Sequence, residues 1–204
     1  MESLHLIVGL GNPGAEYAKT RHNVGFLLVE KLAARWKTDW ANERKFSARI
    51  ARAERNGRRV LLCRPQTFMN LSGETVRALV DFYQLPQPLS GLLVAMDDAD
   101  LPLGEIRLRA EGGSGGHHGL ESIEQHLATR EFARLRIGIG RKDSAREITD
   151  YVLGRFDSTE AALMEKVLNR AASQMECWLD DGIQSAMNRF NGVVDGPTNE
   201  ETKQ

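Results

Sequence analysis

Apolar and polar positions along this chain alternate with two different periods. Residues 4–10 form an apolar run containing Gly9, with Gly11, Pro13 and Gly14 close behind. That pattern predicts a buried first strand running into a loop. Phe26, Leu27, Leu28, Val29, Leu32 and Trp36 recur at helical spacing, which predicts a helix over 24–36. Residues 46–53 alternate loosely, Asn56-Gly57 supplies a turn, and 60–63 are apolar, so a β-hairpin is expected. An amphipathic helix is predicted over 71–83, ending before Pro86. Residues 92–96 read as a second buried strand that runs directly into Asp97, Asp98 and Asp100.

Further along, Ile106 and Leu108 alternate with Arg107 and Arg109, as in a half-exposed strand. Residues 112–119 read as a glycine-rich loop, followed by a helix carrying Leu120, Ile123 and Leu127. Leu135, Ile137 and Ile139 alternate with Arg136 and Gly138, a strand pattern. A long amphipathic helix is expected over 161–179, with one or two more turns over 183–190. Strands and helices interleave without a repeat or an internal linker. The expectation is therefore a single α/β domain over 1–194, with a twisted mixed β-sheet flanked by helices. The polar stretch 195–204 is expected to be a disordered tail.

Composition narrows the class. The chain has 204 residues, 41% hydrophobic and 27% charged, ordinary for one globular domain. No apolar run approaches the ~20 residues that cross a bilayer. The amino terminus has no signal-type stretch, so no membrane association and a cytoplasmic location are expected. Cys63 and Cys177 fit no metal spacing and read as buried reduced thiols. The net charge of −1 conceals an asymmetry, because residues 44–64 hold eight Arg or Lys against the single acid Glu54. Residues 130–146 are Arg-rich as well, whereas acids outnumber bases from Asp157 onward. Such clusters serve either as a solvated surface or as a grip on a polyanion, and charge alone leaves both open.

Five segments carry candidate chemistry. Gly9-Leu-Gly-Asn-Pro-Gly14 follows the first strand, but Pro13 breaks a dinucleotide fingerprint, and no suitable acid stands about 20 residues on. A nucleotide-dependent oxidoreductase is thereby set aside. The same turn puts the Asn12 amide at the strand's carboxyl end, where α/β sheets bind ligands. His22, in Thr20-Arg-His-Asn23, is a candidate general base if a carboxylate orients its ring. Asp97, at the end of the second buried strand, is that carboxylate, while three neighbouring acids also suit a loop cap or a metal. In Thr67-Phe-Met-Asn-Leu-Ser-Gly73, Asn70 and Ser72 either cap the next helix or offer an amide to a developing oxyanion. Finally, the glycine loop carries His117 and His118 into a helix N-terminus. Adjacent histidines are poorly placed to chelate one ion. No G-x-S-x-G elbow supports a covalent serine mechanism.

The order and wording of these segments resemble the bacterial-type peptidyl-tRNA hydrolase family. The resemblance rests on Val8–Gly14, Tyr17–Gly25, Thr67–Gly73, Asp97–Pro102, Gly113–Leu120 and Leu135–Gly140, and spans about residues 4–190. It implies an enzyme that hydrolyses the ester between a peptide and the 3′ end of tRNA, acting as a monomer without cofactor or metal. It implies His22 as general base and Asp97 as its orienting partner. Asn12 and Asn70 would hold substrate, and Tyr17, Asn23, Met69 and His117 would shape the pocket. Arg109 and Arg136 would grip phosphate of the tRNA acceptor stem. His118 departs from the family, which usually has Asn there. A non-catalytic RNA-binding relative is the alternative, one that has no use for a His–Asp pair.

Overall fold

The computed structural model describes residues 4–140 and 148–194. The expected tail and the cations Arg141, Lys142 and Arg146 lie outside the described residues. One eight-stranded sheet organises the molecule, in the order β2-β3-β4-β1-β5-β7-β6-β8. Its centre is parallel: β1 (Leu4–Gly9) lies between β4 (Arg58–Pro65) and β5 (Leu89–Asp98), with β7 (Phe132–Gly138) beyond β5. Antiparallel strands complete both sides. These are β2 (Trp40–Glu43) and β3 (Ala48–Arg55) on one edge, β6 (Glu105–Arg109) and β8 (Gly192–Val193) on the other. The mixed α/β expectation is met.

Helices cover both faces, which explains the unbroken apolar run in β1. Ile7 points into a core shared with α1 (Val24–Arg35) and α5 (Ser158–Phe190). Leu6 and Val8 point into a second core with α2 (Ser72–Tyr83) and α3 (His118–Leu127). All three are fully buried, and each such side chain contributes roughly 1.5–3 kcal/mol. Asn56 and Gly57 both take positive φ, 49° and 73°, as a tight hairpin turn between twisted strands requires. The two helical stretches expected near the carboxyl end are both present within α5, separated by a kink at Gly182, which takes φ 84° and ψ 173°. Cys63 and Cys177 are buried free thiols, and burial drives the Cys63 thiol pKa well up. Among the described residues no helix is long and apolar enough to cross a membrane.

Two expectations about the ends of elements need correction. Residues 92–96 are only the middle of β5, which pairs with β7 as far as Asp97↔Ile137 and Asp98↔Gly138. Asp97 stands at the carboxyl end of the strand, as expected, with only Asp98 after it. Ser72 is not an N-cap. Leu71 occupies that position without a side-chain cap, and Ser72 is fully buried as the first helical residue.

One close approach sets the geometry of the pocket. The Leu10 amide donates to the Ala95 carbonyl at 2.9 Å, and the Phe26 amide donates to the Leu10 carbonyl at 3.2 Å. A Cβ on Gly25 would lie 2.4 Å from the Ala95 oxygen, and one on Gly9 would lie 2.2 Å from the Gly25 oxygen. Only glycine lets the first turn of α1 press onto the ends of β1 and β5. That contact carries the preceding segment, Thr20–Asn23, to the carboxyl ends of the parallel strands.

Candidate active site

A cavity of about 410 Å³ opens at those strand ends. Its polar lining brings together Asn12, His22, Asn70, Asp97, His117 and His118, drawn from five separate segments. His22 sits in a short 3-10 turn (Arg21–Asn23), and its Nδ1 lies 2.9 Å from Asp97 Oδ1. His117 Nε2 approaches the same oxygen at 3.1 Å. Asp97 is 3% exposed. Burial alone would raise its pKa, but the two imidazoles outweigh burial by charge and hydrogen bonding and hold it well below the usual carboxylate range.

The hydrogen bonds fix how each group faces the cavity. His117 Nδ1 accepts from the Leu120 amide at 3.3 Å, as N-cap of α3. Its proton therefore resides on Nε2, which donates to Asp97. An ionised Asp97 can only accept, so His22 donates from Nδ1, and in the neutral ring Nε2 is then the nitrogen that can accept. Asn12 is oriented in the same manner. Its backbone amide donates to Asn23 Oδ1 at 2.9 Å, and Asn23 Nδ2 donates back to the Asn12 carbonyl at 2.9 Å. Asn12 Oδ1 accepts from the Met69 amide at 2.8 Å, which leaves its NH₂ as a donor without a partner among the described residues. Asn70 is exposed at the rim.

His22, Asp97 and His117 each offer a ligand atom within 4.8 Å of the others, a possible metal set. Those atoms are already joined through protons, and an ion would have to displace both protons to bind. The arrangement suits a base with a free imidazole nitrogen, backed by a carboxylate, beside an amide donor.

A family model for peptidyl-tRNA hydrolase matches residues 6–201. The chain belongs to that family. A peptidyl-tRNA hydrolase of Synechococcus sp. (strain JA-3-3Ab) is 46% identical over 200 residues, covering 98% of this chain and 88% of the relative. That of Geobacillus kaustophilus is 47% identical over 188 residues, covering 92% of this chain and all of the relative. The crystal structure of peptidyl-tRNA hydrolase from Acinetobacter baumannii matches with a TM-score of 0.86 at 40% identity, covering 95% of this chain and 97% of that one. A peptidyl-tRNA hydrolase in complex with N-propanol matches with a TM-score of 0.87 at 40% identity.

Set beside what the family resemblance implies, the remaining site residues divide. Met69 lines the cavity, and Asn23 acts one layer behind it, through Asn12. Tyr17 lies outside the cavity lining; its carbonyl accepts from the Thr20 amide and hydroxyl, in the turn that precedes His22. Arg136 is not a free cation. It donates to Asp98 Oδ2 at 3.0 Å and to the Gly113 and Ser114 carbonyls at 2.7 and 3.0 Å, tying β7 to the glycine loop. Buried Arg134 reaches the Gly112 carbonyl from the same strand, so this loop is stapled at three successive residues. Arg109 is exposed and unpaired among the described residues. Asp98 caps the turn after β5, accepting from the Asp100 and Leu101 amides at 2.9 and 3.2 Å.

Sequence reasoning missed one side of the cavity. Phe68, 58% exposed, and Ile148, Val152 and Leu153 of the α4 (Ile148–Val152) region form an apolar wall. A signal was present for Phe68, an aromatic between Thr67 and Asn70 ahead of a helix. The five-residue α4 is too short to impose a readable period.

Proposed function

We propose that this chain hydrolyses the ester that joins a peptide to the 3′ oxygen of tRNA, and that His22 is its general base. The observation that carries the reading is the Asp97–His22 pair at 2.9 Å, with the second imidazole nitrogen left free beside the oriented Asn12 amide. His22 Nε2 takes a proton as a water oxygen adds to the ester carbonyl. Asp97 holds the ring and stabilises the imidazolium, as an orienting carboxylate does. The Asn12 and Asn70 amides donate to the oxyanion, each such donor being worth roughly 3 kcal/mol when well placed. Collapse breaks the acyl–oxygen bond, and the imidazolium returns its proton to the departing ribose oxygen. Free peptide and tRNA result, with atoms and charge balanced and no metal required.

The apolar wall of Phe68, Ile148, Val152 and Leu153 suits the acyl side chains or a base stacked at the 3′ end. Arg109 is the cation best placed for acceptor-stem phosphate, while Arg136 contributes mainly by shaping the loop. The same reading has the enzyme act as a cytoplasmic monomer with no membrane involved. The non-catalytic RNA-binding alternative gives no reason for a buried carboxylate held between two imidazoles.

The test is release of free tRNA from N-acetylaminoacyl-tRNA by purified protein, with unblocked aminoacyl-tRNA as control. Rapid release from the blocked substrate alone is expected. Binding without release would favour the RNA-binding alternative.

A further inference from the structure

Immediately before His22, Arg21 is 9% exposed, and the bonding of Arg21 is directed away from the reacting atoms. Its Nη1 donates to the Arg155 carbonyl at 2.7 Å, and its Nη2 donates to Glu160 Oε2 at 2.6 Å. The guanidinium carbon lies 4.6 Å from the Tyr151 ring centre and 5.2 Å from that of Phe156. The Arg21 amide donates to the Gly154 carbonyl at 2.9 Å, and Thr20 forms an isolated antiparallel bridge with Arg155. A Cβ on Gly154 would lie 3.0 Å from Nη1, so glycine permits the close approach. Glu160 is itself held in a capping box with Asp157 at the start of α5.

These contacts bear on the cavity because α4 has no buried residue of its own. A five-residue helix cannot hold itself in place. Its position depends on anchors at its carboxyl end, namely the Tyr151 hydroxyl donating to the Ile139 carbonyl at 2.8 Å, and the Arg21 cluster around Tyr151, Gly154 and Arg155. The segment so anchored presents Ile148, Thr149, Val152 and Leu153 to the cavity. One side chain thus joins the backbone that carries His22 to the wall facing it.

We propose that Arg21 is a positioning residue of the hydrolysis. It sets the separation between the His22 imidazole and the apolar wall, and so places the acyl group against the base. The proposal rests on the hydrolase reading above. A planar guanidinium is needed because it donates in two directions while lying close to two rings, whereas an ammonium offers a point charge.

The experiment compares wild type, Arg21→Lys, Leu153→Ala and the double variant on N-acetylaminoacyl-tRNA, together with hydrogen exchange over 148–153. Arg21→Lys is expected to raise KM about fivefold or more, with a smaller fall in kcat and an unchanged pH profile, as misplacement of substrate requires. Exchange over 148–153 should quicken. In the Leu153→Ala background, with the wall already cut back, the further effect of Arg21→Lys on KM should shrink to less than about twofold. Should Arg21→Lys fold poorly, Glu160→Gln keeps the shape and removes the paired charge, and it should quicken the same exchange. Folded Arg21→Lys with unchanged KM and unchanged exchange overturns the proposal alone. Inactive wild-type protein removes the hydrolase reading and this proposal with it.

Discussion

The turn of the basic hairpin and the strand-end cavity lie at opposite ends of β1, and the two regions organise polar groups differently. The hairpin belongs to a stretch with eight cations against one acid. Its Arg59 is in register with Leu4, at the amino end of β1, whereas Asn12 follows the carboxyl end. Hairpin cations pair with nearby acids: Arg52 with Glu43, Arg55 with Asp180, Arg64 with Glu30. At the base of the cavity His22, Asp97, His117 and Asn12 are each held through one side-chain atom by a partner that is itself held. The Leu120 amide sets His117, His117 and His22 share Asp97, and Asn23 and Met69 together set Asn12. The density of charge marks a surface, whereas the chain of orientation marks the place where chemistry is possible.

The comparison breaks most visibly at His22. His22→Ala should lower kcat by at least ~100-fold, the scale of a general base. Asp97→Asn should lower it less completely, because it orients and does not carry the transferred proton. Steady-state turnover on blocked aminoacyl-tRNA measures both, and near-normal turnover in His22→Ala rejects the assignment.

A smaller effect separates the two basic regions. Arg109→Ala should raise KM for full-length tRNA substrate about threefold and flatten its salt dependence by about one unit of log–log slope, as loss of a phosphate contact does. Arg59→Ala, at the far end of the sheet, should leave both unchanged. Equal effects of Arg109→Ala on full-length tRNA and on a short 3′-end ester fragment would argue against a phosphate contact.

His118 sharpens the picture within the cavity. It is exposed, opens α3, and shares the lining with His22, His117, Asp97, Asp98, Asp100 and Arg136. Asp97, held below the usual carboxylate range, stays ionised through neutral and mildly acidic assays. The acid limb of the pH–rate profile therefore does not report Asp97. His118→Asn should keep kcat within about threefold in steady-state turnover, because an amide also donates and accepts. A fall of about tenfold or more would show that the imidazole itself is required there. The smallest expected effect is none: dialysis against a chelator should leave turnover unchanged, and a large loss restored by a divalent ion would replace the proton-linked cluster with a metal site.

Much of this was legible in the sequence because it is local. The apolar run of β1 and the Asn56-Gly57 turn announce themselves through period and backbone constraint. Asp97 was legible as a carboxylate at a strand end, which is where an α/β sheet places ligands, and His22 as a candidate base just before a helix. The grouping of His117 with Asp97 was not, since it depends on the path of a glycine loop that two arginines of β7 staple in place. Nor were the roles of Arg136 and Arg21. An arginine reads in sequence as a surface cation, and only tertiary contacts show one stapling a loop and another between two rings. The strands β2 and β8 and the helix α4 were too short to carry a period.

The account's central claim is that Asp97 acts through His22, so the two form one device. The direct measurement is kcat for His22→Ala, Asp97→Asn and the double variant under identical conditions, at saturating N-acetylaminoacyl-tRNA. Groups that act as a unit are strongly non-additive. The account predicts that the double variant is no slower than His22→Ala alone. Losses that multiply, with the double variant slower by the product of the two single effects, would contradict it.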